Sequence, residues 1–151
     1  MRYSVVAIGR LKRGFYKGGA DHYLKRLGGY AKVEMVELKD SRLNDAAARD
    51  DEAKRLLAAA SGYLIALDEQ GEGQDSRTLA ARVTALETQG VSRISLLIGG
   101  AQGHGQRLRE RAQAAWSLSS LTLPHELARL VLLEQLYRIE TIRAGHPYHR
   151  D

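Results

Sequence analysis

The strongest constraint on this chain is a repeated alternation between short apolar runs and longer segments whose apolar residues recur at helical spacing. Residues 3–8, 33–38, 63–67 and 94–98 read as strands. Val5-Val6-Ala7-Ile8 and Leu96-Leu97-Ile98 lack the polar alternation of a half-exposed strand and predict burial on both faces. Between them, residues 20–27 and 45–60 predict helices, and Leu79, Val83 and Leu86 mark one face of a helix beginning near Ser76. Leu108, Ala112 and Ala115 outline a further helix. A last short strand over 116–121 precedes a terminal helix over 124–144, with Pro124 suited to a first helical turn. Strand and helix in alternation predict an α/β fold with a mostly parallel sheet.

The 151 residues, 44% hydrophobic with two prolines, predict one domain over 1–151 and leave little room for a separate recognition module. There is no cysteine, which excludes disulfides and thiolate metal or redox sites. The opening Met1-Arg2-Tyr3-Ser4-Val5-Val6-Ala7-Ile8 is too short in its apolar part for a signal-peptide core, and no stretch reaches bilayer length. A cytoplasmic protein without membrane contact is expected. The net charge of +5 is concentrated at the start. Up to Tyr30, Arg2, Arg10, Lys12, Arg13, Lys17, Lys25 and Arg26 face Asp21 alone, so the remainder is slightly acidic. A basic segment interleaved with Phe15, Tyr16 and Tyr23 suits phosphate neutralisation and base stacking on RNA, and equally describes a solvated first helix.

Ligands of open α/β sheets gather where strands end. After the third strand comes the acidic run Asp68-Glu69-Gln70-Gly71-Glu72-Gly73-Gln74-Asp75; after the fourth, Gly99-Gly100-Ala101-Gln102-Gly103-His104-Gly105; after the fifth, Ser119 to Pro124. The glycine loop follows the wrong strand for a dinucleotide fingerprint, lacks the G-x-G-x-x-G spacing, and has no lysine and hydroxyl residue for a P-loop. A nicotinamide-dependent enzyme is therefore disfavoured. Tight turning at a helix start remains an alternative reading of those glycines.

The C-terminus carries the other unusual grouping. Leu130, Val131, Leu132, Leu133, Leu136 and Tyr137 exceed a single amphipathic stripe and predict burial from more than one side. Beyond Gly145, the tail His146-Pro147-Tyr148-His149-Arg150 packs two imidazoles, a phenol and a guanidinium around a rigid proline. His146 and His149 lie three apart, but with no cysteine and no third ligand in view no metal site is expected. His22, His104 and His125 read as a surface, a loop and a helix-start histidine, and Trp116 as core. Arg138 suits either RNA or ligand contact or an ion pair with Glu134 on the same helix face.

Four motifs taken together, Leu96-Leu97-Ile98-Gly99-Gly100-Ala101-Gln102-Gly103, Leu118-Ser119-Ser120-Leu121-Thr122-Leu123-Pro124-His125, Leu133-Glu134-Gln135-Leu136-Tyr137-Arg138 and His146-Pro147-Tyr148-His149-Arg150, resemble the ribosomal RNA large subunit methyltransferase H family of the SPOUT class. The resemblance extends along the whole chain in length and element order. It implies a C-terminal trefoil knot, S-adenosylmethionine as methyl donor, a homodimer, and methylation of N3 of a pseudouridine in 23S rRNA within the ribosome. Gln102-Gly103-His104 and Glu126 depart from the family pattern.

By that resemblance Leu67, Gly99, Gly100, Ser119, Ser120, Leu121, Thr122, Leu123 and Pro124 form the cofactor site, with Gly100 allowing close approach of the main chain and Leu121 and Leu123 enclosing the adenine. The acidic run offers charge to the sulfonium and amino group, although a solvated turn is the plainer account of most of its carboxylates. His146, Tyr148, His149 and Arg150 are the catalytic candidates, to align the acceptor, accept its proton or stabilise charge on the base, with no single general base assigned and with the tail suited to act across a dimer interface. Arg10, Lys12, Arg13 and Arg138 are the RNA-binding candidates. A non-catalytic ribosome-binding factor is the alternative function.

Overall fold

The computed structural model describes residues 1–100, 103 and 105–150. Five strands alternate with five helices: β1 (Arg2–Ile8), α1 (Gly14–Leu27), β2 (Lys32–Leu38), α2 (Asp45–Ala59), β3 (Tyr63–Gly73), α3 (Ser76–Thr88), β4 (Arg93–Ile98), α4 (Gln106–Arg111), β5 (Ala114–Ser117) and α5 (His125–Arg143). The sheet order is β2-β1-β4-β3-β5, and every pairing is parallel. Central β1 and β4 are buried along nearly their whole length, as their unbroken apolar runs predict.

One apolar cluster, including Val5, Leu27, Val83, Leu96 and Leu133, lies where α1, α3 and α5 cover the sheet; a second, with Val6, Ala53, Leu56, Leu97 and Leu108, lies on the α2 and α4 face. Helix α5 packs between α1 and α3, which explains why Leu132, Leu133, Leu136, Tyr137 and Ile139 are all buried although they do not share one stripe. No helix among the described residues is long and apolar enough to cross a membrane.

Several boundaries differ from expectation, each for a physical reason. Helix α1 begins at Gly14, six residues earlier than its pattern indicates; glycines 14, 18 and 19 depress helix propensity and so hide its start in the sequence. Gly19 is there for packing: a Cβ at that position would stand 2.9 Å from Leu130 Cδ1 of α5. Ala112 and Ala115 do not continue α4. Gln113 donates its N–H to the Leu64 carbonyl at 2.9 Å and accepts from the Leu64 N–H through Oε1 at 2.8 Å, which draws residues 114–117 into the sheet as β5. Residues 118–121, expected to extend that strand, leave the sheet.

Pro124 caps α5 in extended geometry (φ −54°, ψ 145°) instead of occupying its first turn, and its carbonyl accepts the Ala128 N–H at 2.9 Å. Strand β3 runs through six of the eight residues of the expected acidic loop, 68–75. Leu67 and Glu72 both lie opposite Trp116, so residues 68–71 bulge out between two paired stretches.

Candidate functional site

A cavity of about 390 Å³ opens at the C-terminal ends of β3, β4 and β5, under the first turn of α5. Its walls come from the β3 bulge (Leu67, Asp68, Glu69, Gln70), the β4 end (Ile98, Gly99, Gly100, Gly103), Arg109 of α4, the β5 exit (Trp116, Ser117, Leu118, Ser119, Leu121, Leu123) and His125 and Ala128 of α5. All three loops singled out from the sequence thus converge on one pocket, of a size common for small-molecule sites. Six of the nine expected cofactor residues line it; Ser120, Thr122 and Pro124 do not.

The β5 exit is shaped by its own serines: Ser117 Oγ donates to the Ser119 carbonyl, and the Leu121 N–H donates to Ser119 Oγ, each at 2.9 Å. This turn leaves Leu121 72% exposed while it borders the cavity. Across the pocket, the Gly103 N–H donates to the Gly100 carbonyl at 2.9 Å, and Gly103 has φ +81°. Gln102 and His104, named above as departures, lie outside the described residues, as do Ala101 and Asp151. A Cβ at Gly100 would meet Ile8 Cγ2 at 3.0 Å and buried Glu52 Oε1 at 3.1 Å, so packing behind the pocket wall also favours glycine there.

Most carboxylates of the acidic run have structural partners. Asp75 caps α3 by accepting the Thr78 N–H at 2.7 Å, a bond that holds its carboxyl below the ordinary aspartate range. Glu72 pairs with Arg82 at 3.0 Å, and Asp68 with Arg109 at 2.8 Å. Glu69 reaches Thr122 Oγ1 at 3.5 Å and joins no ion pair among the described residues, which makes it the acidic wall residue best able to face a cationic ligand.

The tail forms a second cluster. Gly145, at φ +73°, ends α5 in a Schellman turn, with the Gly145 N–H donating to the Ile142 carbonyl and the His146 N–H to the Thr141 carbonyl. The chain then folds back on its own helix. The Tyr148 hydroxyl donates to Glu134 Oε1 at 2.9 Å, and its ring packs edge-on against Tyr137 with centroids 4.7 Å apart. Arg138 grips the same Glu134 oxygen at 2.7 Å, lies 4.7 Å over the Tyr148 ring and donates toward His149 Nδ1 at 3.1 Å. Of the two sequence readings of Arg138, the structure shows the ion pair with Glu134, to which it adds contacts with Tyr148 and His149 of the tail.

Burial and the Glu134 contact push the Tyr148 phenol up to about 12, so it is a neutral donor near neutral pH and not a proton acceptor. Since Arg138 can only donate, His149 Nδ1 is the acceptor in this contact. His146 and Arg150 are exposed. Arg26, which the sequence did not single out for this site, stacks over Tyr137 and Tyr148 at 4.5 and 5.4 Å.

None of residues 129–150 lines the cavity. From Ala128, at the pocket, to Arg138, at the tail, α5 advances roughly 15 Å, at about 1.5 Å per residue. Arg10, Lys12 and Arg13 are exposed in the loop before α1 and enter no ion pair among the described residues.

A parallel sheet whose β3, β4 and β5 ends close one pocket under a terminal helix carries the motifs of a methyl-transferring enzyme, and the chain belongs to the SPOUT methyltransferase family: the family described as "Predicted SPOUT methyltransferase" matches residues 1–149. Among curated relatives, the ribosomal RNA large subunit methyltransferase H of Anaeromyxobacter sp. (strain Fw109-5) is 46% identical, with 99% of this chain and 100% of the relative covered. The proteins of the same name from Lysinibacillus sphaericus and Gloeobacter violaceus are 40% and 41% identical, with 99% of this chain and 100% and 99% of the relatives covered.

Proposed function

We propose that this methyltransferase uses S-adenosylmethionine to methylate N3 of a pseudouridine in 23S rRNA of the large ribosomal subunit, as a cytoplasmic homodimer built from a single knotted domain. The observation that carries the reading is the separation, within one chain, of a complete small-molecule pocket from a tail rich in donors. The pocket suits the cofactor chemically. Leu67, Ile98, Leu121 and Leu123 offer apolar walls to an adenine, the Gly99–Gly100 and 118–123 backbones offer amides and carbonyls to its edge, and Glu69 offers charge to the cationic end.

S-adenosylmethionine, when bound, supplies a sulfonium methyl group. The rest is done by this chain's residues. Lys12, Arg13 and Arg10 hold phosphates of the RNA, with Arg138 supporting the tail from behind. His149 and Arg150 stabilise negative charge on the uracil carbonyls as the N3 proton leaves, and exposed His146 is free to approach that proton. Tyr148 positions the tail by anchoring it to Glu134. Because the tail does not line its own chain's pocket, it serves the pocket of a second copy, which makes the homodimer part of the active site.

The test is transfer of labelled methyl from S-adenosylmethionine to large ribosomal subunits lacking the modification, with the product nucleoside identified by mass spectrometry. Label in 3-methylpseudouridine from 23S rRNA is expected. Label in another nucleoside would overturn the assigned acceptor, and saturable RNA binding without cofactor binding would favour a non-catalytic ribosome-binding factor.

A further inference from the structure

We propose that Glu126 and Arg129 are positioning residues that fix the conformation of the basic loop 9–13 against the cofactor pocket and thereby set its grip on RNA; this rests on the reading that the loop binds RNA. The backbone of the loop is tied down by side chains almost residue by residue. Arg129 Nη2 donates to the carbonyls of Ile8 and Gly9, at 3.3 and 3.1 Å. The Leu11 N–H donates to Glu37 Oε2 at 3.0 Å, and the Lys12 N–H to Glu126 Oε1 at 2.8 Å. Arg129 Nη1 joins the set through Glu37 Oε2 at 2.7 Å. Arg129 is fully buried and Glu126 is 9% exposed, whereas the Arg10, Lys12 and Arg13 side chains all face solvent.

A loop in which the backbone bonds are internal and the charges external is preorganised for an anionic partner, since little ordering remains to be done on binding. Burying a guanidinium for a turn whose own side chains contribute little to the core is costly unless the carboxylates around it hold it charged. Burial indeed lowers the Arg129 pKa, and Glu37 and Glu126 oppose that shift. The same helical turn also meets the other site: His125 and Ala128 line the cavity, while Glu126 and Arg129 reach the loop. Helix α5 therefore registers the cationic loop against the pocket as one rigid piece, which a two-substrate enzyme needs for alignment. Glu126, a departure from the family pattern at this position, acquires a role in this way.

The test compares Glu126→Ala, Glu126→Gln and Lys12→Ala in steady-state methyl transfer to unmodified large ribosomal subunits, with S-adenosylmethionine affinity measured by calorimetry and stability by thermal unfolding. Glu126→Ala should raise the KM for subunits about five- to tenfold, the effect of roughly one ordinary hydrogen bond, with kcat and cofactor affinity within about twofold. It should also flatten the salt dependence of RNA binding by about one phosphate contact. Glu126→Gln, which keeps the carbonyl acceptor for the Lys12 N–H, should restore the wild-type KM. An unchanged KM in Glu126→Ala beside a raised KM in Lys12→Ala overturns the positioning role while leaving RNA binding by the loop intact. An unchanged KM in Lys12→Ala and Glu126→Ala alike overturns the RNA-binding reading itself. Parallel loss of RNA affinity, cofactor affinity and melting temperature in Glu126→Ala, not relieved by Glu126→Gln, marks a merely structural residue and also overturns the proposal.

Discussion

Gly71 and Gly73 lie two residues apart in β3 and offer a paired test of how the pocket is built. A Cβ at Gly71 would stand 2.9 Å from the Ala115 carbonyl carbon and oxygen and from the Trp116 carbonyl carbon, all backbone atoms of β5; a Cβ at Gly73 would meet nothing within 4 Å. Carbon atoms pack without repulsion at about 3.5 Å or more, so Gly71→Ala must push β5 away from the bulge by about half an ångström. Backbone cannot yield as a flexible side chain does. Overpacking of this kind costs about 1–3 kcal/mol, which lowers Tm by roughly 2–12 °C in a chain of this length.

The displaced segment carries Trp116, Ser117 and Leu118, all pocket walls, so cofactor affinity measured by calorimetry should fall together with Tm in Gly71→Ala. Gly73→Ala should bind as wild type and lose little stability. Equal stability and affinity in Gly71→Ala, or equal damage from Gly73→Ala, would refute the claim that backbone contact between the β3 bulge and β5 shapes the site.

Leu121→Ala should leave Tm nearly unchanged, because the side chain is 72% exposed, yet weaken S-adenosylmethionine binding about five- to thirtyfold, the equivalent of roughly 1–2 kcal/mol of apolar cover, as read by calorimetry. In ultraviolet titration of the tyrosines, Tyr148 should remain protonated past pH ~10 and ionise near about 12. A folded value raised above the unfolded one makes its contribution to stability complete below pH ~10 and lost as pH rises toward 12, so Tyr148→Phe should remove one late-titrating group; loss of one titrating at the ordinary pH would contradict the Glu134 contact. Asp75 shifts the other way: its contribution is present above the ordinary aspartate pKa and disappears as pH falls through the lowered folded value. Acid unfolding of Asp75→Asn, which keeps the cap, should lack that component.

The central strands were legible because burial on both faces writes an unbroken apolar run, as in Val5 to Ile8. The pocket was legible for a related reason: strand ends of an open α/β sheet are where loops converge, and all three loops inspected do line the cavity. What local sequence concealed was decided at long range. Residues 68–73 are acidic and glycine-rich and read as a loop, yet Glu72 and Gly73 pair with Trp116 and Ser117. The start of α1 was hidden by glycines whose use, at Gly19, is contact with Leu130 on another helix. Arg26 joins the tail cluster only because α1 packs against α5, and no spacing in its neighbourhood signals that. Gly100 borders the cavity, and its small size answers also to Ile8 and Glu52, which its own neighbourhood in the sequence does not signal.

In the proposed homodimer a pocket and a tail meet only between two copies of the chain, and mixing two inactive variants measures this directly. One variant carries Ser119→Trp, to fill the pocket; the other carries His146→Ala, His149→Ala and Arg150→Ala, which leave the Tyr148 anchor in place. After the two are unfolded and refolded together in equal amounts, random pairing places one intact pocket beside one intact tail in half of the dimers, which predicts recovery of about one quarter of wild-type methyl transfer. Activity no higher than that of the separate variants, in a mixture shown to contain heterodimers, would contradict the account.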